Sequence, residues 1–351
     1  MANRLAALKE NIFQENQLPD RCSSSPLQIL LALILFPAIH GNVDAVEPAP
    51  AWLQTRDSNP FALATGLPPA PVMPLAGHWQ VDMTLDLSNT ELQQFGAGSS
   101  LLFDAESRET RFSVAYAFNE RWSLRASFSQ VWIGAGFLDQ PIERFHRAFG
   151  FDNGDRGLLA LQAPRVEVRR GGELLYALDR SRSGMGPLLI DSTRSWSLAD
   201  GGRAGLTLGM KLPTGSRSRL SDSGSTDGSL GAFVLLPVGE RLGVGVRAGL
   251  LVQGENRLLG DNARSVVPFA SALLRYRLGE NWSAVLQTDA HGPLYRDLPD
   301  FLGSASNQIN FGLVRRLGKT GEFDITLAED LPALHTSDVA INLGLRLDFA
   351  H

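Results

Sequence analysis

Ile341-Asn342-Leu343-Gly344-Leu345-Arg346-Leu347-Asp348-Phe349 decides the fold. Its odd positions are apolar and end in an aromatic ring; its even positions are polar, charged or glycine. Strand side chains alternate between two faces, so this stretch has one greasy face and one wet face. Working back from it, the same period recurs. Trp79, Val81, Met83, Leu85 and Leu87 alternate with Gln80, Asp82, Thr84, Asp86 and Ser88. Trp122 to Phe128, Leu242 to Leu250 and Phe323 to Leu327 repeat it, and Phe112 to Phe118 does so in the opposite phase to Phe103.

We read twelve strands, within a range of 10 to 14: 77–88, 99–118, 121–133, 186–198, 203–212, 227–238, 240–252, 265–278, 281–291, 305–317, 321–329 and 338–349. The phase change between Phe103 and Phe112 predicts a bulge near Ser107 or an extra hairpin. Connections alternate between short turns, such as Asn119-Glu120 and Gly239-Glu240, and long polar segments at 134–185, 213–226, 253–264 and 292–306. Short turns at one rim and long loops at the other, with Trp79, Trp122, Trp132, Trp196 and Trp282 near strand ends, are the pattern of an outer-membrane barrel. The fold expected is all-β: a transmembrane antiparallel up-and-down β-barrel. In lipid every backbone N–H and C=O must pair internally, so such a sheet has to close.

The final strand also resembles the terminal signal by which the assembly machinery recognises outer-membrane barrels. Asn342, Gly344, Leu347 and Phe349 carry the resemblance, with Ala350 and His351 added beyond the aromatic. At the other end, Leu27 to Ile39 is an apolar run too short to span a bilayer, preceded by Arg21 and followed by Val43-Asp44-Ala45. We read 1–45 as a signal peptide. Residues 46–76 hold seven prolines and no strand pattern, which predicts a periplasmic arm or a plug in the barrel mouth. The barrel is 77–351, and its longest outer loop, 134–185, contains a hairpin at 165–178 split at Gly171-Gly172.

The inner face carries Asp82, Asp86, Arg125, Arg247, Arg275, Arg277, Asp289, Arg316, Arg346 and Asp348. Mixed charge predicts internal pairing or a narrow polar channel. Net charge is -5, which gives no footprint for nucleic acid. Cys22 is the single cysteine and lies in the expected signal segment, so disulfides and cysteine chemistry are excluded from the mature chain. Six dispersed histidines suggest neither metal nor cofactor. Lys211-Leu212-Pro213-Thr214-Gly215 lacks the order of a phosphate loop.

Asp289 and His291 share one face at a strand end. This Asp-x-His pair is the weak catalytic candidate, since such a pair can orient a base for water attack. Phe137, Leu138, Ile142, Phe145 and Phe149 could share one face of a short outer-loop helix.

Asn59-Pro60-Phe61-Ala62, Gly136-Phe137-Leu138-Asp139, Phe145-His146, Phe149-Gly150, Lys211 to Gly215, Gln287 to His291 and Pro293-Leu294-Tyr295 together carry a wider resemblance. The chain resembles a bacterial outer-membrane family catalogued as a domain of unknown function (family 3187). The resemblance implies the barrel and its location and supplies no activity. The expectation is a porin-like, non-enzymatic, monomeric barrel of a Gram-negative outer membrane, a channel or uptake conduit for small solutes. Its partners would be membrane lipid, the assembly machinery during insertion, and the solute. The alternatives are a structural or surface-interaction barrel and, less favoured, an outer-membrane hydrolase.

Overall fold

In the computed structural model, residues 51–96, 98–136, 164–199, 201–330 and 339–350 are described. The first three strands are β1 (His78–Gly96), β2 (Ser99–Ala117) and β3 (Trp122–Gly134). Three short strands follow: β4 (Arg165–Arg170), β5 (Glu173–Leu178) and β6 (Arg182–Met185). The rest are β7 (Leu188–Ser197), β8 (Arg203–Leu212), β9 (Asp227–Val238), β10 (Leu242–Val252), β11 (Val266–Arg277), β12 (Trp282–His291), β13 (Ser306–Leu317), β14 (Gly321–Asp330) and β15 (Val339–Ala350).

Pairing runs β1-β2-β3-β7 and then in sequence order to β15, which pairs back onto β1. The result is a closed antiparallel barrel of twelve strands. Closure joins Trp79 to Phe349, Asp82 to Arg346 and Asn89 to Val339. No edge remains in the ring, which meets the requirement that lipid places on a sheet. β4 and β5 form the hairpin expected at 165–178 and extend β2 beyond the end of β3, while β6 pairs with the end of β3.

Side-chain parity follows the sequence pattern. Leu206, Leu208, Leu230, Val246, Leu274 and Ile325 face outward and are exposed, the belt that lipid would cover. Trp79, Tyr116, Phe118, Trp122, Tyr276, Trp282 and Phe349 gather at the rim of short turns, with Trp79 and Tyr116 rings 4.6 Å apart. β1 and β15 also begin and end at this rim.

Two details differ from expectation. β1 continues to Gly96 and pairs with β2 as far as Ser99, because 89–96 strands without the apolar alternation that would announce it. No bulge occurs at Ser107: the β1–β2 and β2–β3 registers run unbroken past it. Leu101, Phe103, Ala105, Ser107, Glu109, Arg111 and Ser113 are all buried on the inner face. The pleat does not change; the lining does. The outer part of the lumen is apolar and the middle is polar.

The glycines of β10 have a packing reason. A Cβ on Gly249 would lie 2.3 Å from the Leu230 carbonyl oxygen and 2.4 Å from Cζ of Phe269, and one on Gly245 would lie 3.1 Å from the Trp52 ring. Gly249→Val therefore has to move backbone or a core ring, at a cost of about 1–3 kcal/mol. The expected result is a lower temperature for loss of the compact, fast-migrating form on detergent gels; an unchanged transition would contradict this packing.

Candidate functional site: a lumen filled by residues 51–74

Residues 51–74 lie inside the barrel and are almost entirely buried. Their partners trace a path up and back. Near the short-turn rim, Arg346 donates to the Trp52 carbonyl at 3.3 Å. At mid-height, Gln287 holds Leu53 and Thr55 donates to Asp289 at 2.7 Å. Higher, Asn59 donates to the Phe301 carbonyl at 3.1 Å. The chain turns there in α1 (Pro60–Leu63), and Gly66 donates to Asp227 at 2.8 Å. It descends past Ala70, whose carbonyl accepts from Arg125 at 2.8 Å, to the start of β1.

Local sequence explains this shape. The Asn59 side chain caps α1 by accepting from the Phe61 N–H at 2.9 Å, and Pro60 occupies a first-turn position that needs no donor. Pro68, Pro69, Pro71 and Pro74 bar the descending limb from ladder pairing, so side chains of the wall serve its carbonyls instead.

The tip of the arm is Phe61, fully buried at the loop end of the lumen. Its ring meets Phe103, Tyr176 and Tyr295 edge-on at centroid distances of 6.3, 5.8 and 6.3 Å. Val166, Val168 and Leu178 of the β4–β5 hairpin, Leu258, Leu259, Leu294 and the short α2 (Asp300–Gly303) complete this apolar seal. Burial pushes the phenols of Tyr176 and Tyr295 up from their ordinary values.

Below the seal the wall is ionic. Glu109 sits between Arg56 of the arm (3.3 Å) and Arg111 (3.2 Å). Burial holds the Arg56 guanidinium below its ordinary value, with Glu109 opposing that fall. Buried pairs add little net stability, but removing one partner leaves an expensive bare charge.

The ten charged residues expected on the inner face all have inward parity. Arg125 pairs with Asp191 at 2.9 Å, Arg346 with Asp82 at 3.1 Å and with Glu322 at 3.3 Å, and Arg275 with Glu322 at 2.7 Å. Arg247 lies 3.5 Å from Asp289. Asp86 accepts from Asn342 at 2.6 Å, and Arg277 donates to the Glu240 carbonyl. Arg316 and Asp348 lie near the short-turn rim and are half-buried. In the terminal signal, Asn342 and Gly344 face in, whereas Leu347 and Phe349 face out.

Asp289 and His291 are not coupled as a dyad. His291 Nε2 is 2.7 Å from Asp57 of the arm, and its Nδ1 is 2.7 Å from the Gly292 carbonyl. Asp289 instead accepts from Thr55, Ser271, Gln287 and Asn310. The arm takes up both residues. The expected helix through Phe137, Leu138, Ile142, Phe145 and Phe149, the segment 1–45 and residues 46–50 lie outside the described residues.

No role was expected for Gln287, Gln308, Glu109 or Lys211 beyond the part that Gln287 and Lys211 play in the family resemblance. Lys211 is fully buried; its ammonium donates to Asp222 at 2.9 Å, Ser223 at 2.8 Å and the Ser225 carbonyl at 2.8 Å, and lies 3.9 Å from Asp227. Inward parity was the signal that could have picked out these residues.

Two cavities flank the arm. One of about 30 Å³ is lined by Arg56, Asp57, Arg247, Asp289 and His291 among others; one of about 20 Å³ lies by Pro69 and Phe233. Each has room for a water or two and for no solute. Among the described residues no cluster of ligands suited to a metal occurs.

Among solved structures the barrel is similar to the COG4313 outer membrane channel from Pseudomonas putida F1. The identity is 16% and the TM-score 0.54, over 79% of this chain and 97% of that one. It is also similar to the KdgM porin, at 7% identity and TM-score 0.43 over 77% and 99%. The P. putida toluene transporter TodX follows at 11% and 0.36 over 84% and 94%. At 16% identity the likeness to the first of these shows the fold alone, a closed antiparallel barrel. No curated protein matches the sequence. The family model of the protein of unknown function DUF3187 matches residues 29–349, and the chain belongs to that family.

Proposed function

We propose that the chain is a channel of the bacterial outer membrane for small solutes, closed at rest by its own residues 51–74. The observation that carries this reading is the polar, charged lining of the lumen at mid-height. At mid-height the wall is polar and charged, with Glu109, Arg111, Arg125, Asp191, Gln287 and Asp289 buried or nearly so. A barrel built only to be filled would be more economically packed with apolar side chains, since buried polar and charged groups need a partner for every donor and acceptor. A polar wall suits water and solute once the arm is out. The arm is held there by non-covalent contacts alone. In this reading the protein is a monomer, inserted by the assembly machinery through Asn342–Phe349, and its only steady partner is lipid.

Gly66 offers the test. A Cβ there would lie 2.7 Å from Asp227 Cβ and 2.9 Å from its carboxylate, so Gly66→Val cannot keep the arm seated. In planar bilayers the full-length protein should be mostly silent and the Gly66→Val protein should give sustained conductance steps and permit liposome swelling by small sugars or amino acids. If the variant is folded, is cut by trypsin after Arg56 and yet stays silent in both assays, the channel reading is wrong.

A further inference from the structure

The ascending limb, 51–59, is extended and makes no ladder, yet it is buried. A buried backbone without secondary structure must find a partner for each N–H and C=O. Here side chains of the barrel wall supply a share of them. Gln287 meets both backbone groups of Leu53: its Oε1 accepts from the Leu53 N–H at 3.1 Å, and its Nε2 lies 3.3 Å from the Leu53 carbonyl while also reaching Thr55 Oγ1 at 3.0 Å and Asp289 at 2.9 Å. Gln308, on the neighbouring strand, bridges two residues further up, accepting from the Ser58 N–H at 3.3 Å and donating to the Arg56 carbonyl at 3.1 Å. Arg346 takes the Trp52 carbonyl, Arg111 the Gln54 carbonyl and Ser88 the Ser58 carbonyl. Seven backbone groups of residues 52–58 are served in this way.

The side chains of the limb fare less evenly. Thr55, Arg56 and Asp57 reach Asp289, Glu109 and His291. Trp52 Nε1, Gln54 Nε2 and Arg56 Nε are buried with no acceptor among the described residues. The seven backbone contacts would be open to any occupant chain, whatever its side chains.

We infer that the lumen is a binding site for an extended peptide, with Gln287 and Gln308 as backbone clamps and the 51–59 limb as the resident stand-in for a peptide ligand. A carboxamide presents a donor and an acceptor side by side, the complement of one residue's N–H and C=O; vicinal sugar hydroxyls can offer a donor and an acceptor as well, so a sugar is the competitor that tests the reading. This inference deepens the channel reading and rests on it for passage of the peptide, though not for its binding.

The probe is a fluorescent synthetic peptide with the sequence Ala51 to Asn59, added to the full-length Gly66→Val protein in detergent, with anisotropy as the readout. A tethered arm competes at a high effective concentration, which is why the loosened variant is used. We expect saturable binding, retained within a few-fold by a scrambled peptide of the same composition. Methylating the peptide nitrogen equivalent to Leu53 should weaken it several-fold, and Gln287→Leu with Gln308→Leu at least tenfold. Maltohexaose should not compete.

Binding that a sugar of this length displaces, or that ignores both the N-methyl group and the glutamine changes, overturns the inference. So does binding by the native sequence and not by the scrambled one. The N-methyl comparison needs no variant beyond Gly66→Val, so it decides the matter even if the double glutamine variant fails to fold. Peptide binding without conductance would uphold the site and refute the channel. Conductance with no peptide binding would do the reverse.

Discussion

Phe61→Ala should release the arm. The ring is fully buried among Phe103, Tyr176 and Tyr295, and it is the largest of the arm side chains in the apolar seal, beside Ala62, Ala64 and Leu67. Truncating a buried phenylalanine costs about 3–5 kcal/mol. The strands that form the ring do not depend on Phe61 for their hydrogen bonds, so the loss falls on the seated arm and not on the barrel. At about 1.4 kcal/mol per factor of ten, the released population rises by a factor of about 10² to 10³ or more. Trypsin reads it directly, because Arg56 is buried when the arm is seated. Where opening is fast relative to cleavage, the cleavage rate follows the open population. A rate within about threefold of the wild type would mean that the polar contacts below hold the arm without the seal.

The second large effect is expected at Lys211. Its ammonium is fully buried between Asp222 and Asp227 and also satisfies Ser223 and the Ser225 carbonyl. Lys211→Met keeps most of the volume and removes the only cation these two carboxylates share among the described contacts. Breaking a buried pair in this way costs about 3–5 kcal/mol. The damage should spread to the arm, because Asp227 also accepts from Gly66 and Ser223 donates its N–H to the Ala64 carbonyl. Unfolding in urea should therefore shift to lower concentration, and trypsin should cut after Arg56 faster. The double change Lys211→Met with Asp222→Asn should recover part of the loss, since one bare charge then disappears. A double variant no better than the single one would argue against charge as the cause.

The strands were legible because each must present one face to lipid and the other to the lumen, and that demand writes itself as period two. The ring strands lie close to the segments read from the sequence, and Gly171-Gly172 marked its hairpin because both residues hold φ values, 59° and 85°, that glycine alone adopts easily. The phase change in β2 was misleading for a physical reason. Parity reports the side a residue faces only while the lumen is wet, and at Leu101 and Phe103 it is dry.

The site was less legible. His291 and Asp57 are separated by 234 positions and meet only because the arm climbs the lumen. Asp289 and His291 looked like a pair because adjacent positions on one face are visible in sequence, whereas partners supplied by a re-entrant segment are not. Prolines could say that residues 46–76 would not join a sheet; they could not say where such a segment would lie.

The loop-like course of the arm has a mechanical consequence. Its ascending limb begins near the same rim at which its descending limb ends, with Trp52 held by Arg346 and Val72 by Ser123. Tension applied to the chain ahead of Trp52 from that side would load the bonds one at a time, first Arg346, then Gln287, then Arg111. Detachment by peeling needs far less force than shearing all of them together, so a weak pull from below could empty the cylinder and leave the pairing of its strands intact.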